Sequence, residues 1–459
     1  MNSLHDIENI YFLGIGGIGM SALARYFKNQ GKTVAGYDRT ETNLTMQLIS
    51  EGIDVHFEDA KERIPATFNI ENTLVVYTPA LPAGHAEYNW LKNSGFAILK
   101  RAKVLGMLCN EGKCLAVAGT HGKTTVSTLL AVILKESALG CGAFLGGISK
   151  NYGTNLLLPA SEGQWLVAEA DEYDRSFLNL TPDVALVTAL DSDHLDIYGE
   201  FENIKKSFIK FISQIKDGGS LVLKKGVLEE IQGEEGLDIY RYSLNEEADF
   251  YAFDIQLHEN SYLFSLATPW GMIPEIKYNY PGLINIENAV GAAAMALIAG
   301  VSPEEVKKGL SEYKGVKRRF DIRYKSGGKI FIDDYAHHPE ELKAVVSSVR
   351  KMYPGKKITG IFQPHLYTRT RDFADGFAKS LSLLDVAVLL PVYPARELPI
   401  EGVSAEMIVE KMAGVETILL EKNDVLQWVE NNEIEVLMTI GAGDIDKIAD
   451  AIAEYYNGL

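Results

Sequence analysis

Two rhythms of apolar and polar positions alternate along this chain. Short apolar runs end in glycine or polar residues. Longer segments follow them, with apolar positions three or four apart. The first rhythm predicts buried strands and the second predicts helices packed on them. Ile10–Leu13, Thr33–Tyr37, Thr73–Tyr77 and Phe96–Leu99 are strands on this reading. So are Cys114–Ala118, Trp165–Ala168 and Val184–Val187 in the middle of the chain. Lys329–Ile332, Ile358–Phe362, Val386–Leu390 and Glu435–Ile440 complete the set. Helices are predicted over Met20–Gln30, Ser127–Lys135 and Glu340–Met352, and within Leu283–Ala299. Gly31 is a C-terminal stop, and Ser302-Pro-Glu-Glu305 is a capping box with proline at the first helical position. Ile148 to Leu156 reads as irregular. Strand–helix alternation with polar residues after each strand predicts an α/β protein built on parallel, doubly wound sheets.

A length of 459 residues suggests about three domains. The expected division is 1–106, 107–320 and 321–459, with Gly315–Phe320 as a connector. The first and last domains are expected to be Rossmann-like. The central one is expected to be a phosphate-loop ATPase with a mostly parallel sheet. The net charge of −18, with no basic block to offset it, excludes nucleic acid and anionic membrane surfaces as partners. Anionic ligands must then be held by local sites. Cys109, Cys114 and Cys141 make no C-x-x-C pair or disulfide framework, as in a reducing compartment. No secretory leader is evident at the N-terminus, and the longest apolar run, Ala289–Val301, is too short to span a bilayer. A cytoplasmic protein is expected.

The chemistry concentrates after the strands. Ala118 runs into Gly119-Thr-His-Gly-Lys-Thr-Thr125 and then a helix. This is a phosphate cradle: loop N–H groups and the helix dipole face the anion, Lys123 reaches the β/γ-phosphates, and the Thr124 hydroxyl suits Mg²⁺. Val117 stands where the usual motif has its first glycine. Near the N-terminus, Gly14-Ile-Gly-Gly-Ile-Gly19 joins a strand to a helix, and Asp38 closes the next strand. Such a turn binds a nucleotide diphosphate, NAD among them. Glu169-Ala-Asp-Glu172 ends a strand downstream of the phosphate loop and suits metal ligation or water positioning. His194, among Asp191, Asp193 and Asp196, is a candidate metal ligand or phosphate contact. Asn285 and Asn288 share a helix face, and Arg318-Arg319 suits bidentate phosphate binding. Asp333-Asp-Tyr-Ala-His-His338 is a dense polar cluster at a strand's C-terminal end.

Taken together and in order, these motifs resemble the Mur ligases of peptidoglycan synthesis over essentially the whole chain. The resemblance also rests on Phe362-Gln-Pro-His365, Tyr393-Pro-Ala-Arg396 and Gly441-Ala-Gly-Asp-Ile445. It implies an N-terminal domain for a UDP-sugar, a central ATPase and a C-terminal domain that brings the amino acid. It implies an ATP-dependent ligase that joins L-alanine to the lactyl carboxylate of UDP-N-acetylmuramate through an acyl phosphate. The implied cofactor is Mg²⁺ or Mn²⁺, with ATP as co-substrate, and the implied assembly is a monomer or weak homodimer. By position, Lys123, His194, Arg319 and His337 would be catalytic. Thr124, Glu169 and His194 would hold the metal. Gly119, Thr120, His121, Gly122, Lys123, Thr124, Thr125, Asn285, Asn288, Arg319 and Asp334 would line the ATP site. Gly14, Gly16, Gly17, Gly19, Asp38 and His121 would serve the UDP-sugar, and Tyr335, His337, His365 and Arg369 the amino acid and acyl phosphate.

Three positions depart from the family pattern. Ile284 precedes Asn285 where histidine is usual, and Ala189-Leu-Asp191 replaces Asn-Ile-Glu. Leu366 replaces an arginine suited to the amino-acid carboxylate, a role then open to Arg369 or Arg371. The rival readings are a recycling ligase that adds a tripeptide to the same UDP-sugar, an NAD-dependent oxidoreductase, and a nucleotide-binding regulator without catalysis.

Overall fold

A computed structural model describes every residue except 1–3, 5–6, 83, 162, 192–194, 232–235, 259–260, 396 and 459. The chain divides into two compact units. The first comprises residues 1–255, 263–278 and 287–313. The second comprises 256–262, 279–286 and 314–459. Three sheets run through them in the α/β alternation the sequence predicts.

The first sheet holds β1 (Asn9–Leu13), β2 (Thr33–Tyr37), β3 (Asp54–His56), β4 (Thr73–Tyr77) and β5 (Ala97–Lys100). Its order is β3-β2-β1-β4-β5, parallel throughout. Every residue of β1 is buried, as a central parallel strand requires. The helix after β1 spans Ile18–Asn29, two residues earlier than the pattern predicts. Gly31 ends it at φ +77, with the Lys32 N–H on the Phe27 carbonyl and the Gly31 N–H on the Lys28 carbonyl, a Schellman closure.

The second sheet holds β6 (Lys113–Ala118), β7 (Cys141–Phe144), β8 (Leu156–Leu157), β9 (Trp165–Glu169) and β10 (Val184–Val187). It continues through β11 (Ser220–Lys224), β12 (Asp238–Ser243), β13 (Phe250–His258), β14 (Ser261–Thr268) and β15 (Gly271–Tyr278). The order is β15-β14-β13-β12-β11-β10-β6-β9-β7-β8. The centre is parallel and β8 is antiparallel to β7. Only two residues join β14 to β15, a link that an antiparallel pair allows and a parallel pair does not. The registers Ala118↔Val187 and Val117↔Glu169 bring the C-terminal ends of β6, β10 and β9 side by side.

The third sheet lies in the second unit: β16 (Asp321–Ser326), β17 (Lys329–Asp334), β18 (Ile358–Phe362), β19 (Val386–Leu389), β20 (Glu416–Leu419) and β21 (Val436–Ile440). Its order is β16-β17-β21-β18-β19-β20, with only β16 antiparallel. Asp334 and Phe362 both pair with Ile440, so three strand ends and their loops share one edge.

The capping box predicted at Ser302 is formed: Ser302 Oγ accepts from the Glu305 N–H and the Glu305 carboxylate from the Ser302 N–H. The three cysteines are free and buried. Among the described residues no helix is long and apolar enough to cross a membrane.

The stretch read as irregular contains a buried joint. Asn155 is fully buried; its Nδ2 donates to the Ile18 carbonyl at 2.5 Å and to Ser21 Oγ at 2.9 Å. Its Oδ1 accepts from Arg25 Nη1 at 2.6 Å, and the same guanidinium pairs with Glu51. One amide thus pins the first helix, just after the glycine turn, to the loop leading from β7 to β8. Asn155→Ala removes three hydrogen bonds and leaves part of a buried guanidinium unpaired, so it costs about 2 kcal/mol. A urea unfolding midpoint unchanged from wild type would contradict this.

Candidate active site

The phosphate loop is built by the register of the second sheet. Gly119 has φ +129, and a methyl group there would lie 2.0 Å from Thr188 Oγ1. Gly122 has φ +83, and a methyl there would come within 2.9 Å of Asn288 Oδ1. Both positions therefore need glycine, for conformation and for space. The helix begins at Lys123, not at Ser127 as the apolar pattern predicts, so Lys123-Thr-Thr125 forms its first turn. Thr124 and Thr125 are buried there. The loop is fastened from β10: the Thr188 N–H donates to the Ala118 carbonyl, Thr188 Oγ1 donates to the His121 carbonyl, and the Thr120 N–H donates to the Ala189 carbonyl. Asp191 lies 3.4 Å from both Thr120 Oγ1 and His121 Nε2.

Lys123 is nearly enclosed. Its Nζ donates to the Gly119 carbonyl at 2.7 Å and pairs with the Glu172 carboxylate at 2.7 and 2.9 Å. Burial alone would make the ammonium easier to deprotonate, but Glu172, Asp171 and Glu169 outweigh it and hold the charge on. Glu172 is 1% exposed, and its backbone carbonyl accepts from the Tyr198 hydroxyl at 2.6 Å. Burial and the neighbouring Glu172 push the Asp171 carboxyl up. Glu169 ends β9 against Gly146, where a methyl group would lie 2.1 Å from its Oε2. Thr124 and Glu169 are hard oxygen donors suited to Mg²⁺. His194, the third candidate ligand, lies outside the described residues, as does Arg396.

At the first glycine turn, the Gly14 and Ile15 N–H groups both donate to the Tyr37 carbonyl. The Asp38 carboxylate accepts from the Gly16 N–H at 2.7 Å and the Thr40 N–H at 3.1 Å. Asp38 is thus the brace of the turn, a role its position at the end of β2 did not reveal.

The second unit carries the other candidates. Asn285 belongs to it and donates from Nδ2 to the Pro281 carbonyl, while Asn288 of the same helix (Leu283–Ile298) belongs to the first unit. Arg318 and Phe320 flank Arg319 with φ +62 and +44, conformations that cost about 1–3 kcal/mol each. Asp334 holds Phe320 there. Its carboxylate accepts from the Phe320 N–H at 2.6 Å and the Ala336 N–H at 2.8 Å. Arg318 is anchored to the Gly441 carbonyl at 2.6 Å and to buried Asp333 at 3.3 Å. Arg319 lies over the Tyr335 ring at 5.1 Å and 4.0 Å from Glu341. Burial raises Asp334 to about 6 despite Arg319.

The His337 ring meets Tyr335 edge-on at 5.3 Å and His365 at 6.2 Å, and His365 stacks on Tyr393 at 5.7 Å. His337 Nδ1 is 3.0 Å from the Tyr335 carbonyl. A carbonyl only accepts, so Nδ1 carries the proton and Nε2 keeps its lone pair. Arg369 is close enough to act electrostatically on this ring. Arg371 instead pairs with Asp372 at 2.7 Å on the surface. Leu366, at φ +67, precedes the helix that bears both arginines, Tyr367–Leu381. Glu341 and Thr188 escape the sequence reading. Glu172 stands in it only as one of the three acids of Glu169-Ala-Asp-Glu172, with nothing to mark it as the partner of Lys123.

Burial holds His337 at about 4, with Glu341 opposing and Arg369 adding to the shift. The unfolded ring takes a proton at about 6.5. Between those values the unfolded chain binds more protons, so His337 weakens the fold as pH falls from about 6.5 to about 4. Asp334 works the other way: the folded state keeps its proton up to about 6, so its contribution is lost as pH rises through that value. A ring titration by NMR with a midpoint near 4 is expected, falling further in Glu341→Gln. A midpoint near 6.5 would remove the basis for a neutral His337.

Comparison with known proteins finds three consecutive matches. Residues 9–113 match the model for the Mur ligase family catalytic domain, 117–296 the Mur ligase middle domain, and 318–445 the Mur ligase glutamate ligase domain. The chain is 49% identical to a UDP-N-acetylmuramate–L-alanine ligase of Phocaeicola vulgatus, over 99% of both chains. It is 48% identical to one of Parabacteroides distasonis, over 98% of both. The solved UDP-N-acetylmuramate–alanine ligase of Thermotoga maritima superposes with a TM-score of 0.83 at 26% identity, covering 98% of this chain and 99% of that one. A murein peptide ligase of Psychrobacter arcticus shares the fold, with a TM-score of 0.72 at 21% identity over 98% and 99% of the two chains. With all three family domains matched in order and near-half identity over nearly the full length, this chain belongs to the Mur ligase family.

Proposed function

We propose that this protein joins L-alanine to the lactyl carboxylate of UDP-N-acetylmuramate at the expense of ATP. The observation that carries the reading is the 49% identity over 99% of both chains with a relative of that name. The enclosed Lys123 loop supplies chemistry to match. A carboxylate is a poor electrophile, and phosphorylation gives it a leaving group. The lactyl oxygen takes the γ-phosphoryl group and ADP leaves. The alanine nitrogen then attacks the carbonyl carbon, the C–N bond forms, the C–O bond to phosphate breaks, and the amine gives up a proton. Two anions must approach in the first step, so fixed cations at the point of transfer are required.

Lys123 meets the transferring phosphoryl group by exchanging Glu172 for it. Arg319, held rigid by its strained neighbours, adds a second cation. Thr124 and Glu169, with His194, would hold Mg²⁺, which supplies charge neutralisation between phosphates when bound. Asn288 and Asn285 serve the nucleotide. The domain assignment is 1–106 for the UDP-sugar, 107–320 for ATP and 321–459 for the amino acid. In the last, Tyr335, His337 and His365 line the acceptor side, and Arg369 receives the alanine carboxylate in place of the missing arginine at Leu366. The surface pairing of Arg371 with Asp372 is what favours Arg369.

Phosphate release with ATP, Mg²⁺ and UDP-N-acetylmuramate should depend on L-alanine. Release driven only by the recycling tripeptide would move the chain to that branch of the family. Lys123→Ala should lower kcat by about 1000-fold or more, with a smaller loss of UDP-sugar binding. A near-normal kcat would remove its role. Arg369→Ala should raise the KM for alanine by about 10-fold or more, the worth of a charge-assisted pair, and Arg371→Ala should leave it near wild type. The reverse result would reassign the carboxylate site.

A further inference from the structure

Lys100 and Arg101 sit where the sheet of the glycine turn passes into the second domain. Arg101 opens the helix Arg101–Asn110, which has no acidic residue in its first turn. Cations at a helix N-terminus oppose the dipole, so this placement does not serve the helix. The side chain shows what it serves instead. Its guanidinium lies against Gly19 of the first turn: a methyl group on Gly19 would come within 3.0 Å of Nη1 and 3.1 Å of Cδ. Its other nitrogen, Nη2, is 3.9 Å from Asp171. Asp171 adjoins Glu172, which holds Lys123 at 2.7 Å. Lys100 pairs with Asp174 of the same acidic segment at 2.9 Å. Asp174 and Arg175 both have left-handed backbone, φ +52 and +54, so the segment is bent and held by its partners. A continuous series of charges thus runs from the glycine turn through Arg101, Asp171 and Glu172 to the phosphate-loop lysine.

We propose that Arg101 is a positioning residue that couples the UDP-sugar site to the ATP site. This rests on the ligase reading above. An anion at the glycine turn shares the guanidinium with Asp171. That fixes the acidic segment and sets how Glu172 holds Lys123. Arginine suits the task because its planar fork can serve two anions at once, which an ammonium does poorly.

The test is calorimetric binding to the full chain, with UDP-N-acetylmuramate and ADP–Mg²⁺ as probes, each titrated with and without the other. Wild type should show a mutual change in affinity of about 5-fold or more, equal in both directions. Arg101→Ala should bring that factor to about one while ADP alone binds as before, and Arg101→Lys should restore part of it. Asp171→Asn, which cuts the series beyond Arg101, should lose the coupling with UDP-sugar affinity little changed. It also answers the question if Arg101→Ala fails to fold. Lys100→Ala removes the same charge without contact to Gly19 and should keep the coupling. Full coupling in Arg101→Ala, or equal loss in Lys100→Ala, overturns the proposal and leaves the ligase reading intact. A wild type that binds both probes without mutual effect does the same. A wild type that fails to bind UDP-N-acetylmuramate overturns both.

Discussion

A buried cation must have a counter-charge, and the pair Lys123–Glu172 is where that constraint shapes this molecule. An ammonium enclosed by glycine loop and helix is easier to deprotonate without an acid beside it. Glu172 supplies the charge at 2.7 Å, and the acidic segment must therefore return to the loop from the end of the neighbouring strand, the third after β6 in the chain. β9 does this because it pairs directly with β6, Val117 beside Glu169. Thr188 does the same from the other side, since β10 pairs with β6 as well. The loop is held by its two neighbouring strands, and its two glycines are needed where Thr188 after β10 presses on Gly119 and Asn288 of the helix Leu283–Ile298 presses on Gly122.

The second unit solves a different problem with similar means. Arg319 must be presented on a short loop, and the residues on either side take left-handed backbone. Such strain persists only where surrounding bonds fix it. Asp334 fixes Phe320 through its backbone N–H, and Asp333 and the Gly441 carbonyl hold Arg318. The same burial lowers the basicity of His337 and raises Asp334, so the cluster stays polar without carrying all its possible charge. A chain with a net charge of −18 binds anions this way, by a few cations in fixed places and not by a basic surface.

Much of this was legible in the chain itself. Apolar runs followed by helical periodicity gave the alternating architecture, because strands buried on both faces must be apolar throughout. The glycine loops, Lys123, Thr124 and the polar cluster 333–338 stood out because phosphate binding and strand-end sites use short local sequences. The capping box at Ser302 was legible for the same reason: its two hydrogen bonds join residues three apart.

What the tertiary structure decided was pairing across long separations. Lys123 and Glu172 are 49 residues apart, Arg25 and Asn155 are 130 apart, and neither composition nor period selects one acid or amide among several. Strand order chooses them, by setting which loops share an edge. It made Asp38 a brace for the glycine turn and Glu172 the counter-ion of the lysine. The fold also left Arg371 on the surface with Asp372, while Arg369 is close enough to His337 to act on it electrostatically. The sequence by itself determined which chemical groups are present and which local frames carry them. Only the fold determined which groups meet, because the energy of a buried charge depends on its nearest partner in space and not on its place in the chain.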